Sequence, residues 1–476
     1  MLFNSLAFLI FFAVVIALHY LPLAWRIKKV NLLVGSYIFY AAWNPPFVIL
    51  LWISTIVDWF AAAAMSRAER PGRRKILLGL SLLANLGMLS YFKYGQWLAE
   101  SFTNLTSQLG FEYTAPELDI ILPVGISFYT FQTLSYTIDV YLRRSKPEAS
   151  FLDFALFVTF FPQLVAGPIV RPYQLIPQFK QPRTANSQQF TWGLFLFTWG
   201  LFQKSVIADG ILSIVVGDTF NAMYNITAFD AWLGVLAFSG QIFFDFAGYS
   251  LCAIGIAMCL GFSIPNNFKS PYAAIGFSNF WQRWHISLSG WLRDYLYIPL
   301  GGNQKGPRRT YINLMLTMLL GGLWHGADWR FLVWGGVHGL YLVIERLLKK
   351  TLDTEKLLAK PPIAILSALA TFICVSLTWV FFAAPNWEKC GQMFESLLGI
   401  PHPEHGALMV ISSFHIFMTI LITVVMLICH WKVRDLEIEE MANKTPTWLI
   451  TIFWTAILFI TIMTGGSSSA FIYFQF

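Results

Sequence analysis

Two histidines in this chain each follow a tryptophan directly: His285 in FWQRWHISLSGWLRDYLYIPLGG and His325 in GGLWHGADWRFLVWGGVHG. An imidazole titrates near about 6.5 when unperturbed, so its neutral form can accept a proton at physiological pH. A general base acting on a hydroxyl group needs that property. Around His325, Gly321, Gly322 and Gly326 leave room for backbone or substrate to come close. His285 is surrounded by Gln282, Arg283, Ser287, Ser289, Arg293 and Asp294, interleaved with Trp281, Trp284 and Trp291. That spacing describes an amphipathic helix at an interface or inside a funnel. Arg283 or Arg293 can hold an anionic group such as a phosphate; alternatively Arg293 only pairs with Asp294. His338 lies thirteen residues beyond His325, among Gly335, Gly336 and Gly339, and reads as a helix-packing residue. The other histidines, His19, His402, His405, His415 and His430, are scattered. No HExxH, GxSxG, P-loop or strand-borne GxGxxG pattern is present, so the sequence points to no metal site, serine-hydrolase fold or nucleotide fold.

The elements that must hold these groups are apolar helices. The chain has 476 residues, 57% hydrophobic, 17% aromatic and 12% charged. A soluble domain carries about 25% charged residues. Apolar runs of about 20 residues, enough to cross a bilayer, recur throughout. The expected class is an all-α polytopic membrane protein, residues 1–476 forming one membrane domain with its working centre at about 277–339. The net charge of +7 sits in short loops between apolar runs. That is the positive-inside pattern of a protein embedded in a bilayer and does not indicate nucleic-acid binding. The five cysteines (Cys252, Cys259, Cys374, Cys390, Cys429) lie in or beside apolar runs with no CxxC pair, and read as buried small hydrophobes. The N-terminal run has no basic n-region or cleavage signal and reads as a retained first span.

Taken in order, residues 2–21 span outward-to-inward, and the hairpin across Asn44-Pro45-Pro46 dips out and returns. The loop RAERPGRRK is cytoplasmic by its charge, residues 76–92 cross outward, and 100–117 are polar and outside. The run 121–142 carries Ser127, Tyr129, Thr130, Gln132, Ser135, Tyr136 and Asp139 at helical spacing. These residues face a cavity or hydrogen-bond between helices. Basic residues at both ends of 151–171, with Pro162 and Gly167-Pro168 inside, describe a broken or re-entrant element. Long helices follow at 190–217 and 231–262, the second placing Gln241 and Asp245 on one face. The apolar run 311–320 is short for a span and leads into GGLWHG, which puts His325 near mid-membrane. Apolar helices at 331–348, 363–384, 407–429 and 447–463 and an aromatic, interfacial tail complete the chain, with no internal repeat.

Five segments together resemble the membrane-bound O-acyltransferase (MBOAT) family, and in particular its bacterial branch that acetylates polysaccharides. They are GISFYTFQTLSY (125–136), FFPQLVAGPIVR (160–171), QIFFDFAGYS (241–250), FWQRWHISLSGWLRDYLYIPLGGN (280–303) and LLGGLWHGADWRFLVWGGVHG (319–339). The resemblance covers nearly the whole chain in order. It implies a ring of about 11 transmembrane helices, with broken or re-entrant helices around a central funnel. It implies catalytic roles for His325 and His285, and makes Trp324, Arg283, Trp281, Arg293, Gln241, Asp245, Gln132 and Tyr136 the candidate substrate contacts. His325 would deprotonate the acceptor hydroxyl or take the acyl group itself, and His285 would orient the acceptor or polarise the carbonyl. No cofactor is permanently bound; acetyl-CoA or a similar acyl thioester is the implied donor substrate. The implied partners are an extracytoplasmic SGNH-type acetyltransferase and a glycan, at the bacterial inner membrane. Leu251 follows GYS where many family members carry a polar residue, which suggests a difference in specificity. D-alanyl transfer to teichoic acid is the alternative within the family. A non-catalytic transporter and an assembly scaffold are the alternatives outside it.

The charge pattern makes a topological prediction. A cysteine placed at Arg70 or Gln304 is expected to escape an impermeant thiol reagent in intact cells and to react once the membrane is opened. Labelling of both from outside would reverse the orientation.

Overall fold

The computed structural model describes residues 1–223, 225–400, 409–436, 440 and 445–464, apart from the side chains of 354 and 355. His402, His405 and the aromatic tail after residue 464 lie outside the described residues. Helix is the only extended regular structure among the described residues. Among the described residues, seven helices are long and apolar enough to cross a membrane: Pro45–Arg67, Pro71–Gln108, Ser187–Phe220, Ala228–Cys259, Trp329–Thr351, Pro361–Ala383 and Ser413–Val433. Leu6–Tyr20 and Thr447–Met463 are apolar but shorter. The chain is therefore a polytopic helical membrane protein. It divides into two compact units. One comprises residues 1–197, 253–265 and 326–328, the other 198–252, 266–325 and 329–476.

In the first unit, Val48–Arg67, Pro71–Leu89 and Ile126–Tyr141 pack together. Polar groups buried between them are joined to one another. Asp58 accepts from Ser81 Oγ at 2.6 Å and from Asn85 Nδ2 at 2.9 Å, and Ser54 Oγ donates to Asn85 Oδ1 at 2.5 Å. On the 121–142 polar face, Gln132 and Tyr136 hydrogen-bond within the protein, to Phe157 O and Glu148 N–H. Helix Phe151–Thr159 stops at Phe160, and Phe161–Leu164 makes one further turn. Segment 165–171 then runs without helix but fully buried. The break falls where Pro162 and Gly167-Pro168 placed it, and irregular backbone at depth is tolerated because protein surrounds it.

In the second unit, Gly306–His325 and Trp329–Thr351 form an antiparallel pair. The first helix is longer than its apolar run, continuing through Gly321, Gly322 and Trp324 to His325. Its 20 residues measure about 30 Å, so the short-run argument for a mid-membrane His325 falls. The glycines do not end the helix because they are packing surfaces. A Cβ on Gly322 would lie 2.2 Å from Phe331 O, and one on Gly335 would lie 2.3 Å from Met318 O. Small residues let two backbones touch in this way. The expected helix at 190–217 is also interrupted: residues Phe202–Leu212 adopt π-helical geometry.

Gly322→Ala is expected to lower stability by about 3 kcal/mol or more, because backbone rather than a mobile side chain must move. Gly336→Ala, where the nearest atom is Leu319 Cδ2 at 3.4 Å, should be tolerated. Thermal unfolding of the two variants in detergent measures the difference.

Candidate active site

Both tryptophan-following histidines lie in the second unit, at breaks in helix. His325 is the last residue of Gly306–His325 and is 2% exposed. His285 separates Phe277–Arg283 from Ile286–Leu292 and is fully buried. One indole touches both: the Trp324 ring lies 5.9 Å from His285 and 5.0 Å from His325, near edge-on to each. His285 has a second edge contact with Phe246 at 4.6 Å. His325 is boxed further by Trp334 at 5.1 Å and Phe382 at 5.3 Å. Each such pair adds about 0.5–1.5 kcal/mol beyond the area it buries, so the rings restrain both imidazoles.

Trp334 is the hub of this cluster. It is fully buried and also meets His338 at 4.6 Å and Trp281 at 5.7 Å. His338 Nε2 is hydrogen-bonded to Thr378 Oγ1 at 3.0 Å, which ties the helix bearing it to Pro361–Thr378. His430 packs on Phe243 at 4.7 Å. The Trp334–His338 spacing of four places both on one helical face. That spacing is the sequence signal for Trp334.

The two candidate arginines differ. Arg283 is bound on all sides by the protein. Its Nε donates to Asn279 Oδ1 at 3.0 Å, and its Nη1 to Lys269 O at 3.2 Å and Arg434 O at 2.5 Å. Its Nη2 pairs with Asp435 at 3.0 Å. It is a staple between loops and has little capacity left for a ligand phosphate. Arg293 is two-thirds exposed, pairs with Asp294 at 2.8 Å and borders a cavity. That cavity has a volume of about 460 Å³, with Trp281, Ile286, Leu292, Met318, Arg293 and Arg346 among its lining residues. Trp281 thus faces the cavity while its ring touches Trp334 and His338. Ile286, the residue next to His285, forms another part of the wall.

Asp245 lies one turn after Gln241 in Ala228–Cys259, and its carboxylate is paired with Lys204 at 2.5 Å. Lys204 also pairs with Asp209 at 3.0 Å, and all three side chains are buried. The i→i+5 bonding of a π-helix brings Lys204 and Asp209 together across five residues. Where this segment meets helix Ala228–Cys259, Gly200 and Gly248 face each other. A Cβ on Gly200 would be 2.4 Å from Gly248 O. Sequence reasoning missed Lys204, although a lysine inside an apolar run is itself a signal. Gln132 and Tyr136 belong to the first unit. Gln132 Nε2 donates to Phe157 O at 2.5 Å, and Tyr136 Oη accepts from Glu148 N–H at 2.9 Å. Gln132 thereby braces helix Phe151–Thr159, and Tyr136 the loop that precedes it.

Two buried imidazoles, one of them next to the cavity-lining Ile286, are an arrangement suited to acid–base group transfer. The family model of the membrane-bound O-acyltransferases matches residues 142–383. The chain is 37% identical over 500 residues to the probable alginate O-acetylase AlgI of Pseudomonas putida, covering all of both chains. This chain belongs to the membrane-bound O-acyltransferase family. It is similar, too, to the probable alginate O-acetylase AlgI of Pseudomonas aeruginosa, at 40% identity over 83% of this chain and 75% of the relative. To the peptidoglycan O-acetyltransferase of Helicobacter pylori it is 37% identical over 84% of this chain and 80% of the relative. The MBOAT protein is accordingly an O-acyltransferase, and these relatives place it in the polysaccharide-acetylating branch.

His285 adopts φ 43° and ψ 55°, the left-handed region. A side chain there costs about 1–2 kcal/mol that glycine avoids. His285→Gly is therefore expected to melt higher than His285→Ala, by about 1 kcal/mol of stability, though both lose the imidazole. Equal melting temperatures would show an unstrained backbone.

Proposed function

We propose that this O-acyltransferase passes an acetyl group from a cytoplasmic thioester, acetyl-CoA or a similar donor, to an extracytoplasmic polysaccharide. The observation that carries the reading is the placement of the cavity. Its wall includes Trp281 and Ile286, which adjoin the ring cluster holding His325 and the kink holding His285, and its lining includes Arg293 and Arg346. Two arginines beside an apolar pocket suit a phosphate-bearing donor whose thioester end reaches inward. His325 takes the proton of the acceptor hydroxyl while that oxygen attacks the thioester carbonyl. The C–S bond then breaks, and the proton passes to the departing thiolate. His285 orients the acceptor or polarises the carbonyl. The O-acetylase names of the relatives support acetyl over D-alanyl as the group moved.

The rest of the reading concerns the setting. Residues 1–476 act as one membrane domain in the bacterial inner membrane, a ring of about 11 spans around a funnel. A separate SGNH-type protein receives the acetyl group and places it on the glycan. Gln241 and Asp245 help shape the acceptor side, and Trp324 separates the two imidazoles.

His325→Ala should lower acetyl transfer by about 10²–10⁴-fold, and His325→Gln should be nearly as damaging because an amide takes no proton at neutral pH. The assay is donor thioester cleavage and acetyl incorporation by purified, folded protein. Near-normal turnover in His325→Gln would make His325 a hydrogen-bonding residue only. Transport of donor or glycan by an inactive His325→Ala protein would favour a carrier. Transfer from a D-alanyl carrier thioester, and not from acetyl-CoA, would favour the teichoic acid reading.

The donor site has its own test. Arg293→Gln and Arg346→Gln should raise the donor KM more than they lower kcat, the pattern of lost uniform binding. Arg283→Gln should instead reduce the yield of folded protein. A pure kcat defect in Arg293→Gln would move that arginine into the chemistry.

A further inference from the structure

The kink at His285 is held by a short segment elsewhere in the chain, residues 267–269. Asn267 C=O accepts Ile286 N–H at 2.9 Å, and Lys269 N–H donates to Arg283 C=O at 3.0 Å. Between these two bonds lies one residue on one side, Phe268, and two on the other, Trp284 and His285. The two bonds thus bracket the turn of chain that joins helix Phe277–Arg283 to helix Ile286–Leu292 and carries His285. Trp284 keeps extended backbone at φ −101° and ψ 128°, and His285 takes the left-handed conformation. A histidine stays in that region only where its surroundings over-determine it.

Asn267 supplies a central part of that determination. It is 1% exposed. Besides its carbonyl bond to Ile286, its Oδ1 accepts Ser287 Oγ–H at 2.6 Å and Ser287 N–H at 3.3 Å. Its Nδ2 donates to Ser250 Oγ at 3.2 Å, which anchors it to helix Ala228–Cys259. One turn earlier that helix presents Phe246, whose ring stands edge-on to His285 and 5.0 Å from Phe268. The same helix therefore sets the ring through Phe246 and the backbone through Ser250 and Asn267.

We propose that Asn267, anchored by Ser250, is a positioning residue of the acyl transfer: it locks the interhelical kink that presents the His285 imidazole to the reacting groups. The inference rests on His285 taking part in the transfer, and it adds the device that aims it. An amide is suited to the task because it accepts from Ser287 and donates to Ser250 at once.

The test is a double-mutant cycle on the full-length protein in detergent or nanodiscs, with donor thioester cleavage as the readout. Asn267→Ala should lower kcat by about 10- to 100-fold while leaving donor KM within about threefold. Ser250→Ala, nearly isosteric, should lower kcat by about 3- to 10-fold with KM again unchanged, and it carries the cycle if Asn267→Ala fails to fold. In a His285→Ala background, neither substitution should cost a further twofold, to within about that factor. Losses that multiply in the double mutants, or an unchanged kcat in both single variants, would overturn the assignment. A fully active His285→Ala protein would instead remove His285 from the reaction, and the positioning role with it.

Discussion

A bilayer offers no hydrogen-bond partner, so every polar group this chain places at depth must find one within the protein. The structure answers that constraint in several ways. Asp58 is wrapped by the hydroxyl of Ser81 and the amide of Asn85. Lys204 is shared by Asp209 and Asp245. The donors of Arg283 are divided among Asn279, Lys269, Arg434 and Asp435. Breaking the buried Lys204 pairs would leave a buried charge unpaired, which costs about 3–5 kcal/mol in typical cases. The irregular chain at 165–171 and the kink at His285 exist only because packed protein replaces the lipid around them.

The same constraint shapes the site. Aromatic rings fix the orientation of the two candidate imidazoles through edge contacts. Trp324, Trp334, Phe246 and Phe382 enclose His285 and His325 in that manner. Close helix crossings make the enclosure possible. Gly322 against Gly335 and Gly200 against Gly248 bring backbones together and place Trp324 and Lys204 against their partners. Rigid placement of this kind is what acyl transfer demands, since small errors in position reduce rate steeply.

The membrane class, the two tryptophan–histidine pairs and the broken element near Pro162 were all legible in the chain itself. Each depends on neighbours within a few residues: apolar run length, a motif, a proline. The family was legible for the same reason, since its motifs are contiguous. The limits of the Gly306–His325 helix were misread because glycine is a weak helix former in isolation, and only the opposing Gly335 shows that it is there for packing.

Other features depended on residues remote in sequence. Arg283 reads locally as a phosphate ligand, yet its guanidinium is claimed by a carbonyl 151 residues away and by the Asp435 carboxylate beside it. Asp245 reads as a polar face with Gln241, yet a lysine on a π-helical segment claims it. Asn267 carries no motif at all, and it matters because it meets Ser250 and Ser287 from two other elements. Sequence alone therefore determined which chemistry this protein has, because side-chain type and local spacing are written in the chain. Tertiary structure decided which of those groups remain available for that chemistry, because at membrane depth each polar atom is claimed by whatever partner the fold brings within about 3 Å.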